Sequence, residues 1–189
     1  AKQDLYVSTN CSVWSEKYVK IIKSFKSAMI GLSIDAVGPQ FEYIRHPGKW
    51  DKIRNNILKF VQLRKDNPHV TLKVSATCNP FNIYYLDELY DFFNALEVPI
   101  DIHLIQIPEC YDIRILPKAV KEEITKKHQH RQDLQHVITF LNSEMKDAEL
   151  YLEDFIYLTK GTDRIRNEKF SDVMPEFSKI LQQNRISFV

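Results

Sequence analysis

Hydrophobic and polar residues alternate in four short segments as far as Ile107, and apolar residues recur at helical spacing between those segments. The alternation predicts four strands, at Leu5–Asn10, Ala28–Asp35, Val70–Thr77 and Ile100–Ile107. The helical spacing predicts helices from about Ser15 to Lys26, from Trp50 to Lys65 and from Tyr84 to Leu96. Strands that alternate with helices predict parallel βα units with right-handed crossovers.

The pattern changes after Pro108, because only helical periods follow it. They predict helices at Pro117–Lys127, Asp133–Ser143, Asp147–Leu158 and Pro175–Gln183. We therefore expect two parts: a partial βα barrel over residues 1–116 and a helical C-terminal extension over residues 117–189 that packs on it.

One face of each predicted strand is apolar and the other is polar. Ser33 and Asp35 share the polar face of the second strand, and Lys73 and His103 lie on the polar faces of the third and fourth. Burying such charged groups without partners would cost several kcal/mol each. The polar face is therefore expected to be wet or filled by a ligand. This predicts an α/β fold in which parallel βα units form part of an open, partial TIM-type barrel around a ligand cavity, and a flat doubly wound sheet fits less well.

The polar residues at the predicted strand ends have two interpretations each. Asp35 could bind a ligand together with Ser33, or it could cap the turn that follows the strand. Arg45 could hold a carboxylate or phosphate with two hydrogen bonds, or it could form a surface ion pair with Glu42 or Asp51.

The remaining polar groups predict a ligand site but no reaction. Thr9, Asn10 and Ser12 place hydroxyls and an amide at the end of the first strand, where a plain turn is the alternative. Lys73 and His103 together favour a cavity wall. We find no Ser/His/Asp or Cys/His arrangement and no obvious pair of carboxylates, so the catalytic residues stay unknown.

Composition narrows the class of protein. The chain has 189 residues, of which 44% are hydrophobic, and a formal net charge of +1. These values favour a globular protein and give no indication of nucleic-acid binding. The chain shows neither a signal peptide nor an apolar run of the roughly 20 residues that span a bilayer, so we expect no membrane partner and a cytoplasmic location. Cys11, Cys78 and Cys110 lack metal-site spacing, and no bound metal is expected.

Several segments carry a family resemblance. They are Ser8-Thr-Asn-Cys-Ser12, Leu32-Ser-Ile-Asp-Ala36, Phe41-Glu-Tyr-Ile-Arg-His-Pro-Gly-Lys-Trp50, Val74-Ser-Ala-Thr-Cys-Asn-Pro-Phe-Asn-Ile83 and Phe170-Ser-Asp-Val-Met-Pro175. In this order they resemble the later half of the partial barrel of radical S-adenosylmethionine (radical SAM) proteins. The sequence is most similar to uncharacterised members with a twitch domain, including phage members. Cys11 and Ala36 replace glycines of the family pattern.

The resemblance implies a cofactor site without its metal cluster. Members of this family bind S-adenosylmethionine and a four-iron four-sulfur cluster on a Cys-x-x-x-Cys-x-x-Cys loop, and this chain has no such motif. By resemblance, the cofactor would contact residues at the ends of two strands and one residue beyond them: Thr9, Asn10, Ser12, Ser33, Asp35 and Arg45. The substrate would face Lys73, Ser75, Asn79 and His103.

The missing motif sets the functional expectation. We expect a fragment or split portion of a radical SAM enzyme that supplies cofactor-contacting and substrate-facing walls and is inactive alone. The alternative is a non-catalytic binding or assembly module that keeps the half-barrel. In either case Leu5–Asn10 would be an open edge strand, which predicts pairing with another chain or with a second copy.

Overall fold

The chain folds as an α/β protein in which four strands form one sheet. The structure is a computed structural model that describes residues 3–188. Its strands are β1 (Asp4–Thr9), β2 (Ser27–Ser33), β3 (Val70–Cys78) and β4 (Ile100–Leu104). The helices between strands are α1 (Glu16–Lys23), α2 (Gly38–Ile44), α3 (Trp50–Asp66) and α4 (Leu86–Asn94).

The strands follow chain order across the sheet, so every crossover joins neighbouring strands. The order is β1-β2-β3-β4, which leaves β1 at one edge. β1 and β2 pair in parallel with Tyr6 opposite Met29, and β2 and β3 pair in parallel with Ser33 opposite Ser75. Because paired positions point to the same side, the polar residues of neighbouring strands share one face.

The apolar face of the two central strands, β2 and β3, is buried, as the alternation predicts, and the apolar positions of β1 and β4 are half-buried. Along β3, residues at every second position from Val70 to Cys78 are buried, and the residues between them are half-buried or exposed. Helix α3 contributes Ile57 and Phe60 to this core, and the Phe60 ring meets Trp14 edge to face at 5.0 Å between ring centres. The open sheet therefore has one dry face and one wet face.

The chain divides into two compact units. The first unit runs up to Thr77 and includes Glu88–His103, and the second unit comprises Cys78–Asp87 and the residues from Leu104 onward. This division does not test the expected boundary at residue 116, which stays a prediction.

The second unit is helical. Among the residues that the structure describes, its α-helices after Leu104 are α5 (Lys118–His128), α6 (Gln135–Leu141), α7 (Ala148–Arg166), α8 (Phe170–Val173) and α9 (Pro175–Gln183). Short 3-10 turns lie at Ile83–Tyr85, Glu109–Tyr111, Ile113–Ile115 and Gln132–Leu134. Aromatic rings fill its core, and Phe155 packs 4.9 Å from Phe81 between ring centres. Within residues 3–188, no helix is both long and apolar enough to cross a bilayer.

Two helices differ from the sequence prediction. No helix is predicted between the strand Ala28–Asp35 and the helix from Trp50, but Gly38–Ile44 forms α2, with a proline in its first turn, where a missing N–H does no harm. Helix α7 continues to Arg166 beyond the expected end at Leu158, through Gly161.

Candidate functional site

The loop after β1 is held in one conformation by hydrogen bonds. The Thr9 hydroxyl oxygen accepts a bond from the Cys11 N–H at 3.1 Å, and Cys11 adopts a left-handed backbone with φ of 60°. The Cys11 carbonyl accepts a bond of 2.7 Å from the side-chain amide of Asn56, which is buried on α3. A buried amide that satisfies a loop carbonyl fixes the loop against the helix.

Asn10 and Ser12 form a polar tip on this loop. The Asn10 Oδ1 atom accepts bonds from the Ser12 N–H at 3.1 Å and from the Ser12 hydroxyl at 2.7 Å. This side-chain turn leaves the Asn10 amide group and the lone pairs of the Ser12 oxygen for other partners.

Asp35 connects the ends of two strands to Arg45. Its Oδ1 accepts the Thr77 N–H at 2.8 Å near the end of β3, and its Oδ2 accepts the Arg45 Nε–H at 2.6 Å. Asp35 is buried, whereas the Arg45 side chain is 37% exposed. Asp35 therefore holds the Arg45 side chain in position. The sequence suggested Glu42 or Asp51 as the ion-pair partner of Arg45, as the alternative to ligand binding, but the partner is Asp35.

The Arg45 guanidinium keeps one end open. Within residues 3–188 its only hydrogen bond is the one from Nε to Asp35, so Nη1 and Nη2 have no protein acceptor. These two groups are the pair that holds a carboxylate or phosphate end-on.

The backbone around Arg45 depends on a glycine. Arg45 follows the last residue of α2, and its N–H donates to the Phe41 carbonyl within that helix at 2.8 Å. The Gly48 N–H donates to the Arg45 carbonyl, also at 2.8 Å. A Cβ added at Gly48 would lie 2.9 Å from the Arg45 carbonyl oxygen and 3.1 Å from the Phe41 ring. The loop can therefore close this tightly only with glycine at that position.

Glu42 caps the next helix and pairs with a lysine of the same loop. Its carboxylate accepts the Trp50 N–H at the start of α3 and the Lys49 ammonium, each at 2.9 Å. Two hydrogen bonds hold the pKa of the Glu42 carboxyl below its usual range. The bond from the Lys49 ammonium has the larger effect, and the bond from the Trp50 N–H has the next largest. The carboxylate is therefore charged where it offsets the helix dipole.

These elements enclose a cavity of about 600 Å³, which we call the Arg45 pocket. Its polar lining residues are Asn10, Ser12, Ser33, Arg45, His46, Lys49 and Lys52, and Phe41, Ile44 and Ile53 supply apolar walls. None of the lining residues carries a carboxylate. Although Asp35 and Glu42 pair with Arg45 and Lys49 from outside the lining, the lining itself presents only cationic side chains and neutral groups, which suits an anionic group.

The structure brings four of the six predicted cofactor residues to this pocket. They are Asn10, Ser12, Ser33 and Arg45. Thr9 lines a neighbouring cavity of about 360 Å³ with mainly apolar walls, which shares Asn10 and Ser12 with the Arg45 pocket. Asp35 lines neither of these two cavities, and it positions Arg45 by accepting the hydrogen bond from the Arg45 Nε–H.

The predicted substrate residues are arranged differently. Ser75 lies opposite Ser33 on the polar face of the sheet. The Lys73 ammonium pairs with Asp101 at 2.7 Å, and the His103 Nε2 lies 4.0 Å from the same carboxylate. The geometry therefore places the Lys73–Asp101 ion pair and the His103 ring next to each other on the wet face.

Asn79 belongs to the second unit and serves a local turn. Its side-chain oxygen accepts the Phe81 N–H at 2.9 Å, and its own N–H donates to the Asn82 side chain, also at 2.9 Å. These contacts give Asn79 a structural role in that turn. Its predicted role toward a substrate stays a prediction.

The residues present do not fit an iron–sulfur cluster. All three cysteines are free and buried, and burial raises the pKa of the Cys11 thiol to about 12, so it does not offer a thiolate. In the described part of the chain, no group of three or more His, Cys, Asp or Glu residues could hold a metal ion.

The sequence did not reveal every residue on which the pocket depends. Some of these residues hold the surrounding loops in place, and others line the pocket itself. No role was predicted for Asn56, because an asparagine inside a helix is common. Gly48 lines the pocket and lies in the segment Phe41–Trp50 that carries the family resemblance, but its part in closing the loop was not predicted. Lys52 lies one turn into a helix that was correctly predicted, and its nearness to Arg45 in sequence could have identified it as a second cation.

Comparisons with known proteins do not identify a family for this chain. No protein-family model matches the chain. No curated protein matches it. One matching solved structure is native anSMEcpe with bound AdoMet and Cp18Cys peptide, at 10% sequence identity and a TM-score of 0.43. The match covers 87% of this chain and 38% of that one, so this chain spans well under half of its length. A likeness this weak carries no argument about function.

Proposed function

We propose that this chain binds a small molecule through its carboxylate in the Arg45 pocket, and that the ligand is of the S-adenosylmethionine type. The single observation that carries the proposal is the arrangement of Arg45. A buried carboxylate anchors its Nε, while Nη1 and Nη2 have no protein acceptor in residues 3–188. The anchored guanidinium is held in place before a ligand arrives, so little side-chain entropy is lost on binding.

The rest of the pocket supports a ligand with an anionic head and a larger body. The Ser12 and Ser33 hydroxyls add hydrogen-bonding groups, and Lys52 adds a second positive charge. Phe41 and Ile53 supply apolar walls against which a less polar part can pack. A volume of about 600 Å³ is in the range of small-molecule and cofactor sites.

The wider proposal follows from the sequence resemblance. In an assembly that also contains a cluster-binding segment, this chain would supply the cofactor-contacting and substrate-facing walls of a radical SAM enzyme, as part of an open barrel. The wet face that carries Lys73, Ser75 and His103 would be the substrate side. Because no described residues fit the cluster, we assign no reaction step to this chain and expect it to be inactive alone.

Calorimetric titration with S-adenosylmethionine tests the binding proposal. Arg45→Gln should weaken binding roughly 30-fold or more, since each charge-assisted hydrogen bond contributes about 1.5–3 kcal/mol and an end-on guanidinium makes two of them. Arg54→Gln is the matched control, because Arg54 is an exposed arginine on α3 that does not line the pocket. No heat of binding to the unsubstituted chain, or equal affinity in both variants, would contradict the proposal.

The edge strand favours a second candidate function, a non-catalytic assembly module. Among residues 3–188, β2 is the one strand that pairs with β1, and the Tyr6 side chain of β1 is exposed. An edge of this kind is a template for pairing with another strand. Hydrogen exchange of the β1 amides distinguishes the two candidates. Protection that rises with protein concentration, together with no binding of S-adenosylmethionine, would favour the assembly module.

A further inference from the structure

Helix α7 carries two apolar faces, and one of them faces solvent. Phe155 and Thr159 are buried on its inner side. Leu150, Tyr157 and Ile165 are 56%, 77% and 87% exposed. At about 100° per residue, Tyr157 lies about 20° from Leu150 around the helix axis, and Ile165 lies about 80° from Tyr157. These three side chains therefore form an apolar stripe along one broad face of the helix, on which the exposed Asp154 also lies.

The middle of this stripe is open to close approach. Gly161 lies one helical turn from both Tyr157 and Ile165 on the same broad face, and a Cβ added at Gly161 would meet no atom within 4 Å. Leu158, which is 41% exposed, widens the stripe beside it. A backbone without a side chain at the centre of an apolar stripe lets a second helix come close.

Charges along one flank of the stripe change sign at its middle. Glu149 and Glu153 lie in the first half of α7, and Lys160 and Arg164 lie in the second half. Their spacing of four, seven and four residues places all four on one side of the helix. The helix therefore has an acidic end and a basic end along the same flank.

This pattern complements itself when two copies of the helix run antiparallel. A twofold axis next to Tyr157 sets Glu149 opposite the partner's Arg164 and Glu153 opposite the partner's Lys160. The same alignment brings Leu150 beside the partner's Ile165. A parallel twofold pair would instead set this flank against the opposite flank of the partner, so these four charges would not face each other.

We propose that this chain forms a twofold symmetric dimer through α7, with the two helices antiparallel. The occupant of the stripe is a second copy of the chain. The charges and the apolar side chains of α7 are complementary to those of a second α7 that runs in the opposite direction. A self-complementary patch of this kind is what a twofold interface requires. The 19-residue helix offers a contact line about 28 Å long. The proposal is independent of the Arg45 pocket, which lies in the first unit.

Analytical ultracentrifugation with charge-reversed variants tests this dimer. The basic variant is Glu149→Lys with Glu153→Lys, and the acidic variant is Lys160→Glu with Arg164→Glu. Each reversal turns four attractive pairs into repulsive ones, so we expect each variant alone to dimerise at least about tenfold more weakly than the unsubstituted chain. A one-to-one mixture should form a heterodimer, and the chain that carries all four substitutions should recover self-association.

Two further variants keep the test decisive. Tyr157→Lys places a charge at the centre of the stripe without altering a helix end, and it should also abolish the dimer. Leu58→Lys on α3 is the control, since Leu58 is exposed but lies on the first unit. Circular dichroism checks that each variant is folded. A chain that stays monomeric at all concentrations, or a dimer that the α7 variants leave unchanged, would overturn the proposal.

Discussion

The buried carboxylate of Asp35 is predicted to stabilise the fold and to position Arg45. In the unsubstituted chain the Thr77 nitrogen lies 2.8 Å from the Asp35 Oδ1, and the Arg45 Nε lies 2.6 Å from Oδ2. In the variant Asp35→Asn the amide oxygen can still accept the Thr77 N–H. The amide NH₂ group takes the place of Oδ2, so two donors, this NH₂ group and the Arg45 Nε–H, face each other. The substitution therefore removes the charge-assisted bond from Arg45 and leaves the bond from the Thr77 N–H in place.

The size of the effect follows from the burial of the two partners. A hydrogen bond between charged groups contributes about 1.5–3 kcal/mol. The Arg45 side chain is 37% exposed and regains water when its partner is lost, so we expect the lower half of that range, about 2 kcal/mol. With a urea dependence of about 2 kcal/mol per molar, the unfolding midpoint should fall by roughly 1 M.

A double-mutant cycle separates this ion pair from other effects of the substitution. Urea unfolding is measured for Asp35→Asn, for Arg45→Gln and for the double variant. Arg45→Gln leaves a buried carboxylate without its cation, so it should cost at least as much as Asp35→Asn. The double variant should be more stable than the sum of the two losses predicts, by about 1–2 kcal/mol. Additive losses, or an Asp35→Asn variant within about 0.5 kcal/mol of the unsubstituted chain, would refute the reasoning.

Three further predictions concern other parts of the chain. Burial lowers the pKa of His128 below its usual value, so the unfolded chain binds a proton more readily than the folded chain does. Stability should therefore fall as the pH drops below about 6.5, by up to about 1.4 kcal/mol per pH unit, and this part of the slope should be absent in His128→Gln. Gly48→Ala sets a methyl group 2.9 Å from the Arg45 carbonyl oxygen and should weaken ligand binding in the titration described above, whereas unchanged affinity would show that the loop can move aside. Asn56→Leu removes the bond that satisfies the loop carbonyl after β1 and should cost about 1–3 kcal/mol in urea unfolding, while the exposed neighbour Asn55→Leu should change little.

The alternation of polar and apolar residues was enough to predict the sheet. Each of the four predicted strands forms, because burial of one face selects a period of two wherever the segment lies in the chain. The residues at which the strands end were less predictable. β4 stops at Leu104 although the apolar pattern continues to Ile107, since the hydrogen bonds that end a strand depend on its neighbour.

The candidate site could be found from the sequence only in part. Ser33 and Arg45 were recognisable, because polar groups that follow a strand gather at one edge of a parallel sheet. The pairing of Asp35 with Arg45 was not, since it depends on the turn that α2 makes between them. The Asn56 bond to the loop after β1 spans 45 residues, and no local pattern indicates a contact at that separation.

The most direct test of the Arg45 pocket compares two ligands on two proteins. Calorimetry measures the affinities of S-adenosylmethionine and of its decarboxylated analogue for the unsubstituted chain and for Arg45→Gln. We predict that loss of the ligand carboxylate weakens binding roughly 30-fold in the unsubstituted chain and hardly at all in Arg45→Gln, because the two groups that are removed contact each other. The same loss of affinity in both proteins would show that the carboxylate is held elsewhere and would contradict the account.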